Sequence, residues 1–145
     1  MKNVIKWLLG DNALMKNGIS ASLGLLMLRV GVGLMMAFGH GWGKLSTFSE
    51  RAATFSDPLG VGSTMSLSLA VFAEFFCSLA IAVGLITRGA VIPVIITMLV
   101  AVFIIHSDDP WGKKELGIMY LIPLLAILIT GPGKYSIDRL IHKNK

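Results

Sequence analysis

Apolar residues in this chain run in long blocks, broken by short polar stretches. Four blocks approach bilayer-spanning length: residues 19–38, 64–86, 90–106 and 115–130. A hydrocarbon core of roughly 30 Å needs about 20 helical residues at 1.5 Å each. The first two blocks are long enough alone, whereas the third and fourth are short and must recruit His106, Glu115 or the Gly131-Pro132-Gly133 turn at their ends, or sit in thinned bilayer. The pattern predicts an all-α integral membrane four-helix bundle forming a single domain over residues 1–145. Ahead of the first block, Val4, Ile5, Trp7, Leu8 and Leu9 among Lys2 and Lys6 predict a short N-terminal interfacial helix. Lysines before an apolar run also fit a signal peptide, but the run exceeds an h-region and Phe38-Gly39-His40-Gly41-Trp42 is a poor cleavage site. A retained span is the expectation.

The connections refine this picture. Thr87-Arg88-Gly89 is so short that spans two and three must form an antiparallel hairpin, with Gly89 expected to reverse the backbone. Gly131-Pro132-Gly133 should end span four, because proline has no N–H to continue the helix. Residues 39–63 connect spans one and two, with Asp57-Pro58 as a turn signal.

Composition agrees with the pattern. Residues of the AVILMFWYC set make up 54% of the chain and charged residues 14%, against roughly 45–50% and about 25% in soluble domains. A soluble enzyme is excluded. Of the 13 Lys and Arg, eight (Lys2, Lys6, Lys16, Arg88, Lys134, Arg139, Lys143, Lys145) fall on one side of the predicted spans and four (Lys44, Arg51, Lys113, Lys114) on the other, with Arg29 inside a span. The positive-inside rule then puts both termini in the cytoplasm. The net charge of +5 comes from basic residues that flank apolar runs rather than forming a stripe with aromatics, so lipid headgroups and not nucleic acid are the expected partner. A single cysteine, Cys77, excludes an intrachain disulfide or a CxxC redox pair.

Two charges lie inside spans, where each costs at least about 2.5–3.5 kcal/mol. Arg29 is ten residues into span one and Glu74 ten into span two from the opposite end. Their depths match, so an interhelical ion pair is expected, serving either to fix helix register or to handle protons or substrate. A second cluster gathers at the far ends of the spans: His40, His106 and Glu115, with Trp42, Lys44 and Trp111 beside them. Histidine titrates near neutrality and can hydrogen-bond a carbonyl, and tryptophan offers a flat wall to a ring, although tryptophans and charges also gather at any membrane interface. No HExxH or comparable spacing points to a metal, no CxxCH motif to haem, and the glycines make no nucleotide-binding fingerprint.

The motifs Leu28-Arg29 with Gly31 and Gly33, Gly39-His40-Gly41-Trp42-Gly43-Lys44-Leu45, Glu74 with Gly84-Leu85-Ile86-Thr87-Arg88-Gly89-Ala90, His106, and Thr130-Gly131-Pro132-Gly133-Lys134-Tyr135-Ser136-Ile137-Asp138-Arg139 together resemble the DoxX family. The resemblance implies a small four-helix protein of the bacterial inner membrane. It further implies a subunit of a membrane redox complex linked to thiosulfate, thiol or oxidative-stress metabolism, with quinone as substrate and other redox subunits as partners. Arg29, Glu74, His40 and His106 would handle protons or substrate, and Trp42, Lys44, Trp111 and Glu115 would bind it. No cofactor is held by a clear motif. The alternatives are a non-enzymatic membrane scaffold or a small-solute transporter, with self-association into a homo-oligomer open in each case.

Overall fold

The computed structural model describes residues 18–143; the interfacial helix expected before them lies outside the described residues. Among the described residues six helices follow in order: α1 (Ile19–Ser46), the short α2 (Phe48–Arg51), α3 (Ser63–Val83), α4 (Thr87–Ile105), α5 (Trp111–Thr130) and α6 (Ile137–Lys143). No strand occurs among the described residues. The four long helices pack in a ring in which α1 meets α3, α3 meets α4, α4 meets α5 and α5 returns to α1. Its centre holds Met36, Ile81, Val91, Val94, Leu124 and Ile127, all fully buried or nearly so. Much of the outside is apolar as well: Met27, Met35, Ile122 and Ile129 are among many large apolar side chains left exposed. A surface of that kind belongs in lipid. Among the described residues three helices, α1, α3 and α4, are long and apolar enough to cross a membrane. The protein is an all-α membrane protein.

Helix boundaries depart from the hydropathy blocks in instructive ways. The first block was expected to stop at residue 38, yet α1 runs on to Ser46, through a π-helical turn at Ala37–Gly41. The glycines there serve close packing instead of ending the helix. A Cβ on Gly33 would lie 2.5 Å from the Ser78 carbonyl oxygen, and one on Gly41 would lie 2.7 Å from that of Glu74, so only glycine lets α1 come this close to α3. Similarly, the reversal after α3 is made by Gly84 (φ 75°) and Ile86 (φ 45°), not by Gly89, which sits inside α4. Gly84 completes a Schellman motif: its N–H donates to the Ile81 carbonyl (3.1 Å) and the Leu85 N–H to that of Ala80 (2.9 Å). As expected, α5 stops at Thr130 and Gly131 (φ 82°) turns the chain away. The closing α6 carries no hydropathy signal of its own and was not anticipated.

Two ends of the bundle can now be distinguished. The hairpin end carries the α3–α4 turn and the Gly131-Pro132-Gly133 segment. The loop end carries residues 47–62 and the α4–α5 turn.

Candidate functional site

The expected Arg29–Glu74 pair does not form. Arg29, 1% exposed, turns to the hairpin end: its Nε donates to the Pro132 carbonyl (3.1 Å), Nη1 to those of Ile81 (3.3 Å) and Ala82 (2.9 Å), and Nη2 to that of Tyr135. One guanidinium thus satisfies the Ala82 carbonyl left over at the end of α3, shares that of Ile81 with the Gly84 N–H, and binds both to the segment after α5. Equal depth within each block was misleading because the contacts of Gly33 and Gly41 set the antiparallel register, placing Arg29 beside Ala82 and leaving Glu74 beside Gly41.

The same end contains a second cross-chain cap. Asp138, in α6, accepts the Ile86 N–H (2.7 Å), the Thr87 N–H (2.9 Å) and the Thr87 hydroxyl (2.8 Å). A carboxylate on the first N–H groups of α4 stabilises that helix start. It also holds Ile86 in a left-handed conformation that costs a β-branched residue roughly 1–2 kcal/mol. Burial acts to raise the Asp138 pKa, but the bonds from Thr87 and Ile86 outweigh it and leave it below the ordinary carboxylate value. Arg88 closes the group by donating to the Leu128 and Ile129 carbonyls at the end of α5 (3.1 Å each).

Glu74, 5% exposed, is paired instead with Lys44, whose Nζ donates to Oε2 at 2.5 Å. Lys44 was expected at the site but not as this partner. The signal was present in the sequence: Arg29, Gly33, Ala37, His40 and Lys44 recur every three or four residues, so they share a helix face. Around the pair lies a cavity of about 570 Å³ whose polar lining includes His40, Lys44, Glu74, His106, Lys113 and Tyr120. The His40 ring meets Tyr120 edge to face at 5.5 Å. Tyr120, one turn past the charged start of α5, was missed because a lone tyrosine in an apolar helix carries no spacing signal.

Three of the four helices lining the cavity contain π-helical turns: Ala37–Gly41 in α1, Phe72–Cys77 in α3 and Ala101–Ile105 in α4. His40 and Glu74 lie within two of them and His106 directly follows the third. Such turns occur frequently at functional sites. The Ser78 hydroxyl takes up the Ala73 carbonyl within the α3 turn (3.2 Å).

His106 stands at the rim, with Nδ1 2.7 Å from an Asp109 carboxylate oxygen, and Lys113 donates to the other at 3.1 Å. The bond with His106, then that from Lys113, holds the Asp109 pKa below its ordinary value. The remaining expected residues lie elsewhere. Glu115 and Trp111 are exposed at the start of α5, and Trp42 is exposed against the Phe75 ring at 5.8 Å; none of the three lines the cavity.

The fold and this pocket define a small helical membrane protein with an ionisable cluster inside its bundle. Sequence comparison carries the assignment one step further: the DoxX family model matches residues 24–107, and the chain belongs to the DoxX family. It is 35% identical over 107 residues to the inner membrane protein YqjF of Escherichia coli K12, covering 71% of this chain and 81% of that protein. It is 27% identical over 134 residues to an uncharacterized protein of Haemophilus influenzae, covering 87% and 88%. No solved structure matches the chain.

Proposed function

We propose that the protein is the membrane subunit of a redox complex in the bacterial inner membrane, and that its cavity holds the head group of a membrane quinone. The observation that carries this reading is a largely apolar cavity of about 570 Å³ whose wall holds the Lys44–Glu74 pair together with His40 and Tyr120. A quinone ring presents two carbonyl acceptors and no donor. The Lys44 ammonium and the N–H and O–H groups of His40 and Tyr120 are donors of the matching kind, set in an apolar wall. Reducing the quinone to quinol takes two electrons and two protons. The protons would pass through Glu74, Lys44 and His40, and the electrons would come from a partner subunit carrying a redox cofactor.

In this reading α5 completes the membrane bundle as its fourth span, and both termini face the cytoplasm. The excess of Lys and Arg on that side supports the orientation. The inner-membrane name of the Escherichia coli relative supports the location.

The test is thermal unfolding of the protein in lipid nanodiscs with ubiquinone and menaquinone analogues. A ligand that binds the folded state at 100 times its Kd should stabilise it by about 2.7 kcal/mol. The shift should disappear in His40→Ala and Lys44→Met. Melting curves unmoved by either analogue would overturn the quinone reading.

A further inference from the structure

The cavity wall is incomplete between α3 and α4. The loop-end half of α3, Ser63–Val71, packs mainly on the end of α1 and on α2, while α4 packs against the lower half of α3 and against α5. The two helices therefore part toward the loop end. Leu69 (49% exposed) and Phe72 (52%) on α3, and Ile96 (52%) on α4, line the cavity and also face outward. Pro93, inside α4, lines the same gap; it cannot donate a helical hydrogen bond, and its carbonyl is taken by the Thr97 hydroxyl at 2.9 Å.

At the loop end, the connection between α2 and α3 covers part of the cavity. Phe55, Pro58 and Leu59 lie over the cavity. Asp57 pins this loop to the start of α3, its carboxylate accepting the Val61 N–H (3.0 Å), the Gly62 N–H (2.7 Å) and the Ser66 hydroxyl (2.7 Å). The bond from Ser66, then that from Gly62, lowers the Asp57 pKa, so the tether stays ionised near neutrality. With this loop over part of the loop end and an apolar flank open, the cavity communicates with the hydrocarbon side of the molecule.

We infer that the gap between α3 and α4 is a lipid-side portal: a ligand's polar head rests by Lys44 and Glu74 while its single apolar tail, isoprenoid or acyl, leaves between Phe72 and Ile96. The identity of the head rests on the quinone reading above; the portal does not. The occupant is an amphiphile of the bilayer rather than a solute from water.

Photolabelling with an alkyl diazirine in nanodiscs tests the portal directly. Phe72 and Ile96 should label in any case. Tyr120, which lines the cavity and is 6% exposed, should label as well if a chain can pass between the helices. Thr97→Trp, which fills the gap, should cut Tyr120 labelling at least fivefold and leave Phe72 labelling within twofold. Ala70→Phe narrows the gap from α3 and replaces it if that variant fails to accumulate. Tyr120 unlabelled beside labelled Phe72, or labelled equally in the filled variant, overturns the portal. Adding decylubiquinone separates the two readings: competition at Tyr120 supports both. Strong Tyr120 labelling that decylubiquinone leaves unchanged supports the portal, with a lipid acyl chain as its occupant, and counts against the quinone.

Discussion

Lys44 and Glu74 meet across the α1–α3 seam, ammonium to carboxylate at 2.5 Å, directly beside the point where Gly41 lets the two backbones touch. Glu74 is eleven residues from the loop end of α3, about 16 Å along the helix, and its side chain is 6% exposed against 20% for Lys44. The pair is therefore asymmetric. Lys44 retains a route to solvent through its long stem, whereas Glu74 depends on its partner.

That asymmetry orders the effects of substitution. Lys44→Leu should be the more damaging change, costing up to about 3–5 kcal/mol because it leaves the deeper charge unpaired. Glu74→Leu should cost less, since the freed ammonium can reach water. The double variant should recover most of the loss, because two apolar side chains need no partner. Unfolding in mixed detergent micelles measures all three, and a double variant as unstable as Lys44→Leu would show that the pair does not act as a unit.

Arg29 should behave independently of Glu74. Arg29→Leu strands the Pro132, Ala82 and Tyr135 carbonyls at the hairpin end, that of Ile81 keeping the Gly84 N–H, and Arg29→Lys should rescue little, since one ammonium cannot reproduce the planar fork that reaches all four. Combining Arg29→Leu with Glu74→Leu should give additive losses within about 0.3–0.5 kcal/mol, as expected for sites that share no partner. Coupling above about 1 kcal/mol in that cycle would restore a direct link between the two charges.

The helical membrane class and most of the cavity's ionisable groups were legible from apolar runs and from polar residues placed where polarity is costly. Pairing was not. Hydropathy marks which residues are apolar, but helix register depends on contacts such as those of Gly33 and Gly41, whose glycines in sequence are equally good as helix breakers. The same ambiguity shortened the first block at Phe38 and hid the reach of Lys44 to Glu74. Asp138 belongs to the closing motif in the sequence, yet its role on Ile86 and Thr87 depends on a contact more than 50 residues away in the chain. Tyr120 became visible only once α5 was seen to pack on the His40 face.

The glycines within one helix turn of His40 offer a sharp comparison. Nothing lies within 4 Å of a Cβ on Gly39, so Gly39→Ala should stabilise by up to about 1 kcal/mol through helix propensity alone. Gly41→Ala must push α1 away from the Glu74 backbone, which overpacking data put at about 1–3 kcal/mol of destabilisation. It should also weaken the Lys44–Glu74 pair, so a subsequent Lys44→Leu should cost less in the Gly41→Ala background than in the wild type. Equal effects of the two alanines in thermal unfolding would mean that α1 does not rely on close approach at Gly41.

Asp138 sets a distinct acid response. Its pKa in the folded protein lies below the ordinary value of about 3.9, because the hydrogen bonds from Thr87 and Ile86 outweigh its burial. The folded state therefore binds this proton less readily than the unfolded chain. The resulting stability is fully present above about pH 4 and disappears as the pH falls from there through the lower folded value. Asp138→Asn removes the charge on the α4 start and should cost about 0.3–1 kcal/mol at pH 7, the range for a charged group at a helix N-terminus. Taking the difference between wild type and variant at each pH cancels the contributions of Asp57 and Asp109, whose pKa values are also lowered. That difference should shrink below about pH 4. Ile86→Gly, which accepts the left-handed turn without strain, should lessen the cost of Asp138→Asn if holding Ile86 is part of the carboxylate's work. A wild-type advantage that is constant from pH 7 to pH 3 would mean the cap does not depend on the charge.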